Sequence, residues 1–152
     1  MTTWSERLAE LGITLPPVAA PVAAYVPAVR SGAQVLTSGQ LPFVDGTLAA
    51  TGKLGAGVTP EQGAQLARTC ALNALAAVHA LVGIDSVVRV VKVVGFVASA
   101  EGFTGQPGVV NGASELLGEV FGEAGVHARS AVGVAELPLG SPVEVELVVE
   151  VA

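Results

Sequence analysis

Charge is the scarcest ingredient of this chain. Only 13% of its 152 residues are Asp, Glu, Lys or Arg, against 51% hydrophobic ones. Basic residues are scarcer still: seven Lys and Arg face 13 Asp and Glu, for a net charge of −6. Nucleic-acid binding needs clustered cations to displace counterions, and seven scattered ones do not supply that. Aromatics, at 4%, are too few to build a stacking platform for bases. Anionic membrane surfaces are disfavoured for the same electrostatic reason. No uninterrupted apolar run reaches the length of a membrane span; Val87–Ala98 comes nearest, and Arg89 and Lys92 interrupt it. The first residues, MTTWSERLAELGITLPP, carry early acids and no apolar core, unlike a signal peptide. Cys70 is the single cysteine, which excludes an intrachain disulfide and leaves the cytoplasm as the default location. The length fits one domain, 1–152, able to bury a core without staples. So little charge points to surface buried in an oligomer. A chain rich in Ala and Gly is the competing explanation, and the two are compatible.

What is present is ordered along the chain. Trp4, Leu8 and Leu11 are spaced for a short helix, which Gly12 and Pro16-Pro17 end. Pro16–Pro21 reads as an extended lead-in. Ala23–Val29 and Gln34–Ser38 are short strands around a turn at Arg30–Ala33, and Gly39–Gly57 is a loop. The clearest helix starts at Thr59, with Pro60 in its first position and Gln62 three residues after the cap; Gly83 can end it. Its run of alanines, from Ala64 through Ala67 and Ala71, implies close packing against a sheet. Val87–Ala98 is a valine-rich strand without clean alternation, which predicts burial on both faces. A second helix covers about Pro107–Ala124, with Gly125 as its stop. Ser130–Ala135 is a short strand. Val143–Ala152 alternates, with Glu144, Glu146 and Glu150 on one face. The order β-β-α-β-α-β-β implies an α+β fold with two helices on one side of a mixed sheet.

The chemistry concentrates near the C-terminus. Arg129 is one of five arginines and stands at the mouth of a strand. Its planar, permanently charged fork matches a carboxylate, so a small carboxylate-bearing ligand at the sheet's end is the functional reading. A structural ion pair is the alternative. Glu144 is either a general base or water-orienting carboxylate, or one acid of a solvated strand face. Tyr25, the only tyrosine, either packs on a ligand or sits in a core or interface. Gly39 allows close backbone approach beside Ser38, or simply ends a strand. Asn111 either caps its helix or reaches a cleft. A Ser130 nucleophile would need a base beside it, and His127 three residues away does not make a dyad by spacing alone. His79 and His127 lack metal-ligand spacing. Cys70, within the alanine face, reads as a buried small hydrophobe.

These residues, in this order, resemble the reactive intermediate deaminase (Rid, or YjgF) family over Pro21–Ala152. The carriers are Ser38-Gly39-Gln40 with Pro42, Asn111, Arg129-Ser130, Leu137-Pro138, Val143-Glu144-Val145-Glu146 and the aromatic Tyr25. The chain departs from the family pattern at Ala131, where a cysteine is common, at Ala23-Ala24-Tyr25, and at Pro27. It also departs in the loop Pro42–Gly57 and in an N-terminal extension over residues 1–20. The resemblance implies a chorismate-mutase-like fold, a homotrimer and clefts between subunits. It implies hydrolysis of enamines or imines such as 2-aminoacrylate, with no metal or cofactor. Arg129 would hold the substrate carboxylate and Glu144 would act near the attacking water, with Tyr25, Ser38, Gly39, Asn111 and Ser130 around the substrate. A non-catalytic trimeric module that binds a small carboxylate metabolite is the alternative. Ribonuclease activity, also attached to this family, runs against the charge balance.

Overall fold

The computed structural model of the protein describes residues 1–18 and 24–152. Helix α1 (Trp4–Glu10) begins in a capping box, where Thr3 and Glu6 satisfy each other's backbone N–H groups. Residues 4–10 of the extension are therefore folded, and they are docked. The Trp4 indole N–H donates to the Val87 carbonyl at 2.7 Å, and its ring meets Phe121 edge-on with centroids 5.1 Å apart. The Ser5 backbone N–H and hydroxyl both donate to Asp85, and these bonds pull its carboxyl below the usual range. Of the extended lead-in, residues 19–21 lie outside the described residues, as does Ala23 of the first expected strand.

Strands β1 (Ala28–Ser31) and β2 (Gln34–Thr37) form a hairpin whose turn is only Gly32-Ala33, because Ser31 pairs with Gln34. The expected first strand is thus displaced toward its C-terminus: Tyr25 and Pro27 precede it, and Arg30 and Ser31 belong to it. The expected loop holds two short ribbons, β3 (Phe43–Val44) with β4 (Thr47–Leu48), and β5 (Lys53–Leu54) with β6 (Gly57–Val58). Helix α2 (Pro60–Val82) starts at the expected capping box of Thr59 and Gln62 and stops at Gly83, whose φ of 80° suits glycine.

Strand β7 (Val87–Ala98) has the expected limits but not the expected double burial. Val88 and Arg89 are exposed. The broken alternation comes from register shifts between Val87 and Arg89 and between Val90 and Lys92. Such bulges change which face a residue meets. From Val93 onward, Val93, Gly95 and Val97 point inward. Helix α3 (Gln106–Phe121) ends three residues before Gly125, at Gly122, and a 3-10 turn (Gly122–Gly125) follows. Strand β8 (Ala128–Val134) begins two residues earlier than expected, which puts Arg129 inside it. Strand β9 (Val143–Val151) alternates strictly, with every odd residue buried.

The main sheet runs β1-β2-β9-β7-β8 and is mixed, since only β7 and β8 are parallel. Helices α2 and α3 cover one face, where Leu75, Val78, Val93, Leu116, Leu117, Leu147 and Val149 form the core. The helices approach closely at Gly112: a Cβ there would collide with the Ala64 carbonyl of α2. The opposite face is open in the single chain. It carries Leu36 and Val132, each about two-fifths exposed, with half-buried Phe96 and Val148 between them. Among the described residues no helix is long and apolar enough to cross a membrane.

Candidate functional site

The expected site residues fall into two groups on opposite faces of the sheet. Arg129 pairs with Val93, and Val93 with Leu147, so all three point to the helix face. Glu144 pairs with Phe96, and Phe96 with Val132, so these point to the open face. Paired residues share a face and neighbours along a strand alternate. One chain therefore does not bring Arg129 and Glu144 together.

The first group lies where edge strand β8 meets α3. The Arg129 Nη1 donates to Asn111 Oδ1 at 2.7 Å and to Ser114 Oγ at 3.2 Å, and Nη2 reaches the Pro107 carbonyl at 3.4 Å. Pro107, Asn111 and Ser114 are spaced by four and three residues, so they form one stripe of α3. Asn111 is not a cap: Gly105 occupies that position, and the amide oxygen of Asn111 is spent on Arg129. His127 belongs to this group rather than to Ser130. Its Nε2 lies 2.9 Å from Ser114 Oγ and its Nδ1 lies 2.6 Å from the Gly125 carbonyl. Arg129 makes no ion pair among the described residues, so its charge is balanced by neutral acceptors alone. An additional carboxylate is what such a cation lacks.

The second group gathers at the end of β2. Gln40 and Val145 exchange backbone hydrogen bonds of 2.8 and 3.1 Å, which clamps the Gly39 peptide against β9. A Cβ on Gly39 would collide with the Glu144 carboxylate, so glycine leaves that carboxylate room to lie against the backbone here. Burial, and then the charge of Glu146, pushes the Glu144 carboxyl above its ordinary value. Among the described residues no donor meets that carboxylate. The Ser38 hydroxyl donates to the Val26 carbonyl at 2.6 Å, and its N–H donates to the Pro27 carbonyl at 2.8 Å. Ser38 thereby ties the exposed segment of Tyr25 to the Gly39 end of the sheet. Tyr25 itself stands exposed on this side. Ser130 pairs with Val94 and lies on the open face, turned away from Arg129.

Sequence reasoning missed Ser114 and the His127 contact. The only local signal for Ser114 was its place on the Pro107–Asn111 stripe. His79 is exposed, and its Nδ1 accepts the Ile84 N–H at the end of α2. Cys70 is fully buried; that burial, and next the Glu144 charge, raise its thiol well above the ordinary value.

The whole chain has relatives. A family profile described as "YjgF/chorismate_mutase-like, putative endoribonuclease" matches residues 5–151. Protein TCP17 of Trypanosoma cruzi is 51% identical over 146 residues, which cover 95% of this chain and 91% of that protein. The crystal structure of Atu1372 from Agrobacterium tumefaciens, of unknown function, is 44% identical with a TM-score of 0.90. It covers 98% of this chain and 92% of its own. A "putative endoribonuclease" from Shewanella oneidensis is 35% identical with a TM-score of 0.93, over 99% of this chain and 100% of that one. Profile, identity and fold agree across the length of the sequence, and the chain belongs to the YjgF/chorismate mutase-like family.

Proposed function

We propose that the protein hydrolyses small enamine or imine acids of the 2-aminoacrylate type, in clefts formed between copies of itself. The observation that carries this reading is the division of the site into two incomplete halves. One half offers a cation held by neutral partners, suited to a substrate carboxylate. The other offers a carboxylate of raised basicity beside an approachable backbone. A second copy that packs on the open face would set the Glu144 half of one subunit against the Arg129 half of another. The apolar residues of that face give such packing a driving force, and a closed homotrimer satisfies all three pairs of halves at once.

The chemistry needs only positioning and proton transfer. The enamine tautomerises to its imine, Arg129 holds the carboxylate, and the C=N carbon is presented to water. Glu144 takes a proton from the water as its oxygen bonds to that carbon and passes it to the imine nitrogen, whose C=N π pair accepts it. As the resulting carbinolamine breaks its C–N bond, Glu144 carries the hydroxyl proton to the departing nitrogen, releasing ammonia and a 2-oxo acid and regenerating the carboxylate. The reaction is redox-neutral and calls for no cofactor or metal. We place it in the cytoplasm. The endoribonuclease in the family description asks for different chemistry. RNA affinity scales with clustered cations, whereas here Arg7, Lys53 and Arg68 are engaged by Glu10, Glu136 and Glu119.

The test is release of ammonia and 2-oxo acid from freshly generated 2-aminoacrylate and longer imino acids, with wild type, Arg129→Ala and Glu144→Gln. Turnover that collapses in both variants is expected. Saturable binding of the oxo acids without any turnover by folded wild type would establish the non-catalytic module instead.

A further inference from the structure

We infer that His127 and Ser114 form a relay that positions Arg129, fixing which edge of its guanidinium is presented to a ligand. The inference rests on the proposed role of Arg129 as a carboxylate anchor, and it adds two residues to which no role has been given.

The direction of each bond follows from its partners when the imidazole carries a single hydrogen. The Gly125 carbonyl can only accept, so the His127 Nδ1, 2.6 Å away, carries the ring's hydrogen. The Nε2 of the neutral ring is then an acceptor, and the Ser114 hydroxyl donates to it at 2.9 Å. With its only hydrogen committed, the Ser114 oxygen turns a lone pair to Arg129 Nη1 at 3.2 Å. The far end of the chain is rigid. Gly125 is buried, and a Cβ on it would collide with the Leu117 carbonyl of α3, so the accepting carbonyl is held against the helix.

The effect on Arg129 is selective. Ser114 and Asn111 occupy both hydrogens of Nη1, and Pro107 lies at the Nη2 end. All three acceptors sit on one stripe of α3, so the helix holds the tip of the guanidinium. Among the described residues no acceptor meets Nε. In a guanidinium the Nε–H points to the same side as one Nη2–H, and this lateral pair is left for a two-pronged carboxylate contact. Without Ser114 the tip keeps only Asn111 on Nη1 and Pro107 on Nη2, and the lateral pair is held less firmly in its direction. A lysine in place of Arg129 could not use the relay in this way, because an ammonium has no edge to orient.

The experiment uses the full chain, labelled with nitrogen-15 arginine. The Arg129 Nε–Hε signal is assigned by its loss in Arg129→Lys, and its order is measured by relaxation. Binding of 2-oxobutanoate is followed by calorimetry. Ser114→Ala and His127→Ala should each mobilise the Nε–Hε vector and weaken 2-oxobutanoate by about three- to tenfold, the worth of one hydrogen bond. The double variant should be no worse than either single one, because both act on the same path. Ser114→Thr, which keeps the hydroxyl, should restore both readouts. If His127→Ala disturbs the fold, Ser114→Ala, which removes one oxygen from a half-buried helix position, carries the test. An Nε–Hε vector equally rigid in both alanine variants, or losses that add in the double variant, would overturn the relay. A vector loosened by the substitutions in a protein that binds no 2-oxo acid would uphold the relay and refute the anchor role of Arg129.

Discussion

Two glycines on α3 should respond to the same substitution in opposite directions. In a helix interior, alanine is favoured over glycine by about 0.8–1 kcal/mol, because glycine loses more backbone freedom on folding. At Gly118 that term acts alone: a Cβ there meets nothing within 4 Å. Gly118→Ala should therefore stabilise the protein by about 1 kcal/mol, which for a chain of this size is a Tm rise of about 2–4 °C. At Gly112 the same gain is opposed by collision with the Ala64 carbonyl. The obstacle is backbone of a packed helix, so no rotamer change relieves it and α2 and α3 must separate. Overpacking costs about 1–3 kcal/mol, and a backbone collision belongs at the upper end. Subtracting the helix gain leaves Gly112→Ala destabilised by about 2 kcal/mol, or about 4–8 °C in Tm. Thermal melts of the three proteins at one concentration decide the matter, since self-association makes Tm concentration-dependent. A rise in Tm for Gly112→Ala comparable to that for Gly118→Ala would refute the close approach of the helices.

Two further outcomes concern the Glu144 half of the site. The Glu144 carboxyl is raised above its ordinary 4.5 by burial and by Glu146. A raised acid binds more protons when folded, so its penalty is absent below the unfolded pKa and grows as pH rises through the folded one. Glu144→Gln should accordingly raise Tm at neutral pH, with the advantage shrinking toward pH 4 in melts across that range. An advantage that grows with acid would contradict the assignment. Gly39→Ala introduces no forbidden φ but forces the Glu144 carboxylate aside. It should leave the circular dichroism spectrum unchanged and lower imine turnover by up to about 10²- to 10⁴-fold, the contribution of one acid–base group; undiminished turnover would remove Glu144 from the reaction.

The parts of the fold that were legible in the sequence are those governed by neighbours a few residues apart. Thr59, Pro60 and Gln62 marked the start of α2 because a capping box closes over three residues. The acids of β9 marked its faces because three of the four even positions from Glu144 to Glu150 are Glu, Val148 being the exception, while every odd position is apolar. Where long-range pairing intervened, reading failed. The valines of β7 predict a doubly buried strand, and its bulges, which break the alternation, exist only against β9. The hairpin of β1 and β2 was displaced because register, not composition, sets the turn at Gly32-Ala33. The site divides in the same way. Arg129, Asn111, Glu144 and Gly39 were each visible as chemically suited residues. The bond from Arg129 to Asn111 depends on α3 crossing the β8 edge, and Ser114 and His127 carried no mark of their own.

By itself the sequence determined the helices, the five strands of the main sheet and their order, the acids on one face of β9, and the presence of a lone cation near a strand. Tertiary structure alone decided that this cation and the acid stand on opposite faces. The reason is parity. Side chains alternate along a strand, so the face of Arg129 is set by its pairing with Val93, and a slip of one residue between β7 and β8 would turn it to the side of Glu144. No local property of Ala128–Val134 chooses between those registers. The choice is made by what the edge strand meets: a stripe of acceptors on α3 that satisfies the guanidinium on one side, and an apolar, acid-bearing face on the other.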